Sequence, residues 1–139
     1  DLTRAVMEGV TLEMNDIMSV WNQTGIEIKS MSLGGGATKS QLWNQIQADV
    51  YGRPVQIMKV GESTVLGAAI LGGVGAGVFD SIQEGVGAMV HVETEIEPIA
   101  ENYETYKELY SAYVDANQAL SQKTFKNLAT IRDLTLNRQ

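Results

Sequence analysis

The sequence predicts an α/β domain in the order α-β-α-β-α, with parallel strands and a long C-terminal helix. Three observations carry this prediction: helical periodicity at the start of the chain, a strand that runs through three glycines into a helix, and a β-branched segment that follows Pro54 and leads into a helix rich in small residues. Strands that alternate with helices form parallel sheets through right-handed crossovers.

The first helix is predicted from Leu2 to about Asn22, because apolar residues recur there at intervals of three or four. Its buried stripe is predicted to contain Leu2, Val6, Val10, Met14, Ile17, Met18 and Trp21. The first strand, "IEIKSMSL" from Ile26 to Leu33, alternates apolar with polar residues. It stops at three glycines, as a strand that enters a turn does.

The second helix, "TKSQLWNQIQADVY", is predicted to end before Gly52, a residue type that often follows a helix. The segment "VQIMKV" after Pro54 is predicted to be the second strand. A third helix, with an N-cap among Glu62, Ser63 and Thr64, is predicted to run to about Phe79. Each glycine inside a helix costs about 1 kcal/mol, so we expect this helix to be buried against close neighbours that offset the cost.

The C-terminal part is predicted to contain a short helix at residues 81–90, an exposed strand or extended arm "HVETEIEP", and a final amphipathic helix "ENYETYKELYSAYVDANQAL". A stripe for a core or an interface is predicted on that helix from Tyr103, Tyr106, Tyr110 and Tyr113. Residues 1–139 are predicted to be a single partial domain, in which 91–139 form an acidic arm and a terminal helix. Two strands are few for a stable sheet, so we expect a longer protein or a partner, such as a second copy in a homodimer, to complete it.

The composition excludes several classes of partner. Ten Lys and Arg against seventeen Asp and Glu give a net charge of −7, which disfavours nucleic acid. There is no cysteine, so a disulfide framework and a thiolate metal site are both excluded. The absence of cysteine does not decide the compartment but is compatible with a reducing cytoplasm, and a cytoplasmic location is our expectation. The longest uncharged run, residues 63–79, is shorter than the roughly 20 residues that a membrane span needs, so no membrane partner is expected.

The sequence offers no complete catalytic or metal site. His91 is the one histidine, and it stands beside an acidic segment rather than among triad partners. The carboxylates Glu93, Glu95 and Glu97 alternate along one strand, a pattern more typical of a solvated edge than of a wrapped cation. We therefore predict no catalytic residue and no metal ligand in this chain.

The stretch "GGGATKS", residues 34–40, is the motif that points to a ligand. It is not a P-loop, because Thr38 occupies the position of the second obligatory glycine. The join of strand, glycines and helix still places the amides of Gly35, Gly36 and Ala37 where α/β proteins bind phosphate. The spacing of these residues is equally compatible with a tight turn that only packs the helix on the sheet.

Two longer segments, "GGGATKSQLWNQIQADVYGRPV" and "VLGAAILGGVGAGVF", together resemble the carboxy-terminal domain of the FGGY carbohydrate kinases in its xylulokinase-like form. The matching residues are Trp43, Gln45, Ile46, Ala48, Asp49, Pro54, Val55, Leu66, Gly67, Ala68 and Ala69. The segments "DLTRAVMEGVTLEMND" and "IEPIAENYETYKELYSAY" also look like family segments, so the resemblance spans nearly all 139 residues.

The resemblance implies part of an actin-like, ribonuclease-H-like ATPase domain. It implies ATP-dependent phosphorylation of a sugar or polyol hydroxyl, with Mg²⁺ bound through the nucleotide and a ketopentose such as xylulose as the expected substrate. Within the family, the glycine turn meets the phosphates, which implies phosphate contacts for Gly35, Gly36 and Ala37 and a place near the adenosine for Ser40.

The family's catalytic base and most of its sugar-binding residues lie upstream of the region that this chain matches. We therefore expect the sugar to be bound mainly by an N-terminal part and this polypeptide alone to be inactive. The alternative is a protein-binding or structural domain in which the glycine turn is only a packing feature.

Overall fold

The computed structural model describes residues 2–28 and 30–136. The helices in this part of the chain are α1 (Leu2–Gln23), α2 (Gln41–Tyr51), α3 (Ser63–Gly75), α4 (Ile82–Met89), α5 (Ala100–Gln122) and α6 (Thr124–Leu136). The strands are β1 (Ser32–Leu33), β2 (Val55–Met58) and β3 (Val92–Ile96), and a 3-10 turn at Gly36–Lys39 precedes α2. The α/β class is confirmed, but α6 was not predicted as a separate helix.

The three strands form one mixed sheet in the order β1-β2-β3. β1 and β2 are parallel, with Leu33 opposite Ile57, whereas β2 and β3 are antiparallel, with Val55 opposite Ile96. The prediction of parallel strands alone is therefore wrong for β3, which corresponds to the predicted arm "HVETEIEP". This strand lies at the edge of the sheet, and most of its side chains are exposed.

The first strand is much shorter than its alternating pattern predicts. Regular pairing is confined to Ser32 and Leu33, with one more hydrogen bond from the Gln56 amide to the Met31 carbonyl at 2.8 Å. The Arg53 guanidinium donates to the Ile28 carbonyl at 3.0 Å. A side chain thus occupies a backbone acceptor that a longer strand would use for its partner.

The core lies where α1, α2 and β2 meet. Its buried apolar side chains include Leu12, Met18, Ile46, Ala48, Val50, Val55 and Ile57. A polar link also joins the two helices, because the Trp43 indole N–H donates to the Thr11 hydroxyl at 3.1 Å. The same hydroxyl donates to the Met7 carbonyl at 2.7 Å, so this buried group is used both as a hydrogen-bond acceptor and as a donor.

The predicted buried stripe of α1 is largely wrong. Only Met18 of the seven residues is buried, and each of the other six is at least 40% exposed. The main neighbour of α1 is α2, which covers the side that carries Thr11 and Leu12. Periodicity identified the apolar face of α1, but α2 covers a different face of this helix.

The predicted burial of α3 is also wrong, since Ile70 is its one buried residue. Close packing by small residues does occur, however, between α3 and α4. A Cβ atom on Gly73 would lie 2.7 Å from the Phe79 ring, and one on Gly85 would lie 2.8 Å from Ile70 Cγ2. Glycine is needed at these two points of contact rather than along the whole helix.

The caps of α2 and α4 follow their sequence signals, and the N-cap of α3 lies within the three residues predicted for it. Gly52 ends α2 in the left-handed conformation, with φ 62°, and the Tyr103 ring occupies the space that a side chain would fill there. Ser81 caps α4 by accepting from the Glu84 amide at 3.1 Å. At α3 the N-cap is Glu62, whose side chain makes no capping hydrogen bond.

A buried carboxylate ties the end of α2 to the start of α5. Asp49 is 2% exposed and accepts from the Ile99 amide at 2.7 Å and from Gln45 Nε2 at 2.9 Å through one oxygen. Its other oxygen accepts from Asn102 Nδ2 at 2.8 Å. Burying a carboxylate is costly unless its oxygens are hydrogen-bonded, and here three neutral donors meet that condition.

Residues 104–136 form a second compact unit, which holds most of α5 and all of α6. Tyr106 is buried, Tyr103, Tyr110 and Tyr113 are half-buried, and the rings of Tyr110 and Tyr113 stack with centroids 6.4 Å apart. The tyrosine stripe is thus largely withdrawn from solvent, as predicted. In the described ranges we find no helix with the length and apolar character of a membrane span.

We expect Asp49→Ala to lower the free energy of unfolding by about 3 kcal/mol, because it leaves several donors without an acceptor, one of them a backbone amide. The measurement is urea denaturation followed by circular dichroism. Asp115→Ala is the matched control, since Asp115 is exposed on α5. An equal, small effect in both variants would contradict the role given to Asp49.

Burial raises the pKa of Tyr51 to about 12, from an ordinary value of 10.0. Below pH 10 the phenol is neutral in both states, but between pH 10 and 12 only the unfolded chain loses the proton. We therefore expect stability to fall in that window by up to about 1.4 kcal/mol per pH unit from this group. Urea denaturation of wild type and Tyr51→Phe at several pH values isolates the effect, and parallel curves would contradict it.

Candidate functional site

The glycine turn lies at the carboxyl ends of the parallel strands β1 and β2. The Gly35 amide donates to the Gly61 carbonyl, in the loop after β2, at 2.7 Å. Gly35 has φ 84° and ψ −177°, a conformation that is essentially restricted to glycine. A Cβ on Gly34 would lie 2.5 Å from Ser63 Oγ. These two glycines therefore allow the loops after β1 and β2 to meet.

The hydrogen bond to Gly61 corrects one expectation, that the Gly35 amide faces an anion. That donor is already used within the fold, so Gly35 contributes the shape of the turn and part of the cleft wall. The amides of Gly36 and Ala37 have no backbone acceptor in the described ranges. A Cβ on Gly36 would meet nothing within 4 Å, so the space on the side-chain side of its Cα is open.

Ser40 caps α2, since its hydroxyl oxygen accepts from the Trp43 amide at 3.3 Å. It lines neither of the clefts described next. A hydroxyl that accepts one hydrogen bond can still donate another. The structure thus gives Ser40 a structural task and leaves the predicted adenosine contact as a prediction.

The turn forms one wall of a cleft of about 260 Å³. Its lining comprises Gly35, Gly36, Thr38, Lys39, Ile57, Met58, Lys59, Gly61, Glu62 and Glu93. Lys39 and Lys59 are exposed and form no salt bridge within the residues described. Two ammonium groups beside available amides favour an anion, whereas Glu62 and Glu93 place negative charge on the same wall.

A second cleft, of about 520 Å³, adjoins the first and shares Thr38, Lys39, Ile57 and Glu93 with it. It continues along α2 past Gln41, Asn44 and Gln45 and reaches Thr94 and Ile96 on β3. The two clefts together provide a charged end at the glycine turn and a mostly uncharged end of amide and apolar side chains.

Sequence reasoning missed the contribution of the loop after β2. Lys59, Gly61 and Glu62 follow that strand directly, and the carboxyl ends of parallel strands share one edge of a sheet. The position of these residues directly after β2 could therefore have predicted that they lie beside the glycine turn. Glu93 carried no such signal, because its place depends on the antiparallel pairing of β3.

Other titratable side chains do not assemble into a catalytic group in the described ranges. His91 is exposed, and its Nε2 lies 3.0 Å from the Ala88 carbonyl oxygen. Glu95 accepts from Gln56 Nε2 at 2.9 Å. No group of three or more His, Cys, Asp or Glu there is placed to hold a metal ion. The arrangement supports ligand binding by amides and lysines.

Comparison with known proteins identifies the class to which this fold belongs, the carbohydrate kinases. Residues 1–76 match the model of the FGGY family of carbohydrate kinases, C-terminal domain. The chain belongs to this family.

A xylulose kinase of Staphylococcus epidermidis is 34% identical over 135 residues, which are 97% of this chain and 26% of that protein. The crystal structure of a xylulose kinase from Rhodospirillum rubrum matches 87% of this chain and 25% of its own with a TM-score of 0.72 and 29% identity. The structure of a gluconate kinase from Lactobacillus acidophilus matches 90% of this chain and 25% of its own with a TM-score of 0.78 and 25% identity. This chain thus spans about a quarter of the length of the relatives that it matches.

We expect Gly35→Ala to destabilise the chain by about 1–3 kcal/mol, because alanine is strained at this combination of φ and ψ. Gly36→Ala is the control, since a Cβ meets nothing there and the backbone has no positive φ. Thermal unfolding of the two variants measures the difference. Equal melting temperatures would show that the conformation of Gly35 does not constrain the turn.

Proposed function

We propose that this chain is the nucleotide-side part of an ATP-dependent carbohydrate kinase that phosphorylates a hydroxyl of a sugar or polyol. Membership of the FGGY family supports this proposal. The observation that carries it is the pair of amides at Gly36 and Ala37, which have no backbone acceptor in the described structure. Gly36 and Lys39 line the cleft at the carboxyl end of β1, whereas Ala37 does not line it.

The contribution of this part to the reaction is to hold the phosphoryl donor. Backbone amides bind phosphate oxygens without a side chain between them, and lysines compensate the negative charge. Phosphoryl transfer depends on positioning and on electrostatic stabilisation. Holding the β and γ phosphates in a fixed place relative to the sugar is therefore a direct contribution to rate.

Mg²⁺ would arrive with the nucleotide, because in kinases this ion is bound by phosphate oxygens and one or two carboxylates. Glu62 and Glu93 are the carboxylates that line the cleft at the glycine turn, so on this proposal they would share the ion with the phosphates. When bound, the ion would neutralise charge on the transferred phosphoryl group.

The sugar acceptor is proposed to be a ketopentose such as xylulose, on the strength of the similar xylulose kinases. The similar gluconate kinase acts, by its name, on a sugar acid, so the fold itself does not select the acceptor. We propose that the catalytic base and most sugar contacts lie in other parts of the full-length protein. On this proposal, the 139-residue chain binds nucleotide but does not turn over.

The structure does not provide the exposed surface that the alternative of a protein-binding domain requires. That reading predicts an exposed face of Tyr103, Tyr106 and Tyr110, yet Tyr106 is 5% exposed. A homodimer stays a prediction, for which the edge strand β3 offers unpaired backbone groups.

The test is calorimetric titration of MgATP into the 139-residue chain and its Gly36→Val variant. We expect weak binding by wild type and affinity at least about tenfold lower in the variant, since a side chain would stand where phosphate meets the amide. Gly87→Val is the matched control, because Gly87 lies on α4 and a Cβ there also meets nothing within 4 Å.

Two results of this titration would contradict the proposal. Equal affinity of wild type and Gly36→Val would remove the phosphate contact at the turn. No detectable binding by wild type at millimolar MgATP would remove nucleotide binding from this part of the protein.

A further inference from the structure

The terminal helix α6 exposes an apolar stripe to solvent. Phe125, Leu128 and Ile131 recur at intervals of three residues and are 46%, 55% and 60% exposed. Every residue from 118 to 133 is exposed, so no part of the described chain buries this segment. A helix of 13 residues is marginal in water unless another element packs on it. The stripe is therefore a surface that fits a partner.

The partner of α6 is not α5 of the same chain. Only Lys123 separates the end of α5 from the start of α6. Two helices that fold back on each other need a connecting loop of about two to five residues. The element that covers the stripe must therefore lie outside this copy of the chain.

The charges of the chain divide at the same place and indicate what kind of partner fits. Residues 123–139 contain four Lys or Arg and one Asp, a net charge of +3, whereas residues 1–122 contain six Lys or Arg and sixteen Asp or Glu, a net charge of −10. Lys123 and Lys126 form no salt bridge within the residues described. An anionic membrane would attract α6 but repel the rest of the chain. A second copy offers the acidic surface that α6 requires.

The exposed face of α5 combines this acidic character with apolar side chains. Four apolar residues recur there at intervals of three or four, so they share one face of the helix, and all are exposed: Leu109, Ala112, Ala116 and Leu120. The two alanines in the middle leave room for the close approach of another helix. The helix as a whole carries four carboxylates and one lysine. It therefore complements α6 in both shape and charge.

We propose that α6 packs against α5 of a second copy of this chain, so that two copies form a twofold dimer with two equal helix contacts. In a twofold interface both copies contribute the same surface, so each α5 and each α6 is used once. Burial of the apolar stripes provides the affinity, and the opposite charges determine which helix pairs with which. The edge strand β3 is less suited to self-association, because it would bring Glu93 and Glu95 close to the same carboxylates of the other copy.

The test is sedimentation velocity of the 139-residue chain at concentrations from about 5 μM to about 500 μM, because the dimer fraction depends on protomer concentration. We expect a monomer–dimer equilibrium. We also expect its Kd to rise at least about threefold between roughly 50 mM and 500 mM salt, since salt screens exposed charges.

Two variants and two matched controls locate the contact. We expect Leu128→Glu and Ala116→Arg each to raise the Kd at least about tenfold, because the first buries a charge in the stripe and the second sets a cation against the basic helix. Thr130→Glu and Gln118→Arg make the same charge changes two residues away, on other faces of α6 and α5, and should alter the Kd less than about threefold. All four positions are exposed, and circular dichroism checks that each variant is folded.

Several outcomes would overturn the inference. A monomer at every concentration would do so, and binding of that monomer to vesicles of phosphatidylserine and phosphatidylcholine would assign the stripe to a membrane surface. A dimer weakened by Leu128→Glu but not by Ala116→Arg would mean that α6 pairs with α6. A dimer that neither variant weakens would place the contact elsewhere, and one that is insensitive to salt would contradict the role of charge. The proposed function stands in all these cases, because the titration of MgATP tests it separately.

Discussion

The hydrogen bond from the Gly35 amide to the Gly61 carbonyl joins the loops that follow β1 and β2. It fixes the glycine turn at the end of the sheet, and the 3-10 turn and α2 begin from that point. The bond requires the unusual conformation of Gly35 and the close approach of Gly34 to Ser63. The positions of Lys39, Asn44 and the available amides all follow from this junction.

The three consecutive glycines therefore serve different purposes. Gly34 and Gly35 are needed by the fold, the first for space and the second for backbone conformation. Gly36 has neither requirement, so the fold does not explain its lack of a side chain, and the proposed phosphate contact would explain it. The packing part of this division is visible in the structure, and the ligand-binding part stays a proposal.

Features with local causes could be predicted from the sequence. The end of α2 at Gly52 and the cap of α4 at Ser81 follow from residue types that act within one or two turns. The antiparallel pairing of β3 depends on partners about forty residues away, and periodicity does not report it. The buried face of α1 could not be predicted either, because its apolar residues outnumber the positions that α2 covers.

The candidate site was predictable to a similar extent. The sequence located the turn, and the family resemblance supplied the proposal that it contacts phosphate. The use of the Gly35 amide by Gly61, and the place of Lys59 in the cleft wall, depend on how two loops meet in space.

The carboxylate of Asp49 has a consequence for how this chain acquires its structure during translation. Two of the donors to its oxygens, the Ile99 amide and the Asn102 side chain, lie 50 and 53 positions further along the chain. At roughly 5–20 residues per second, a ribosome makes these donors several seconds after Asp49 itself. Until then the Asp49 side chain has only the Gln45 amide as a partner among its three donors, so burying it is costly until the nascent chain has reached the start of α5.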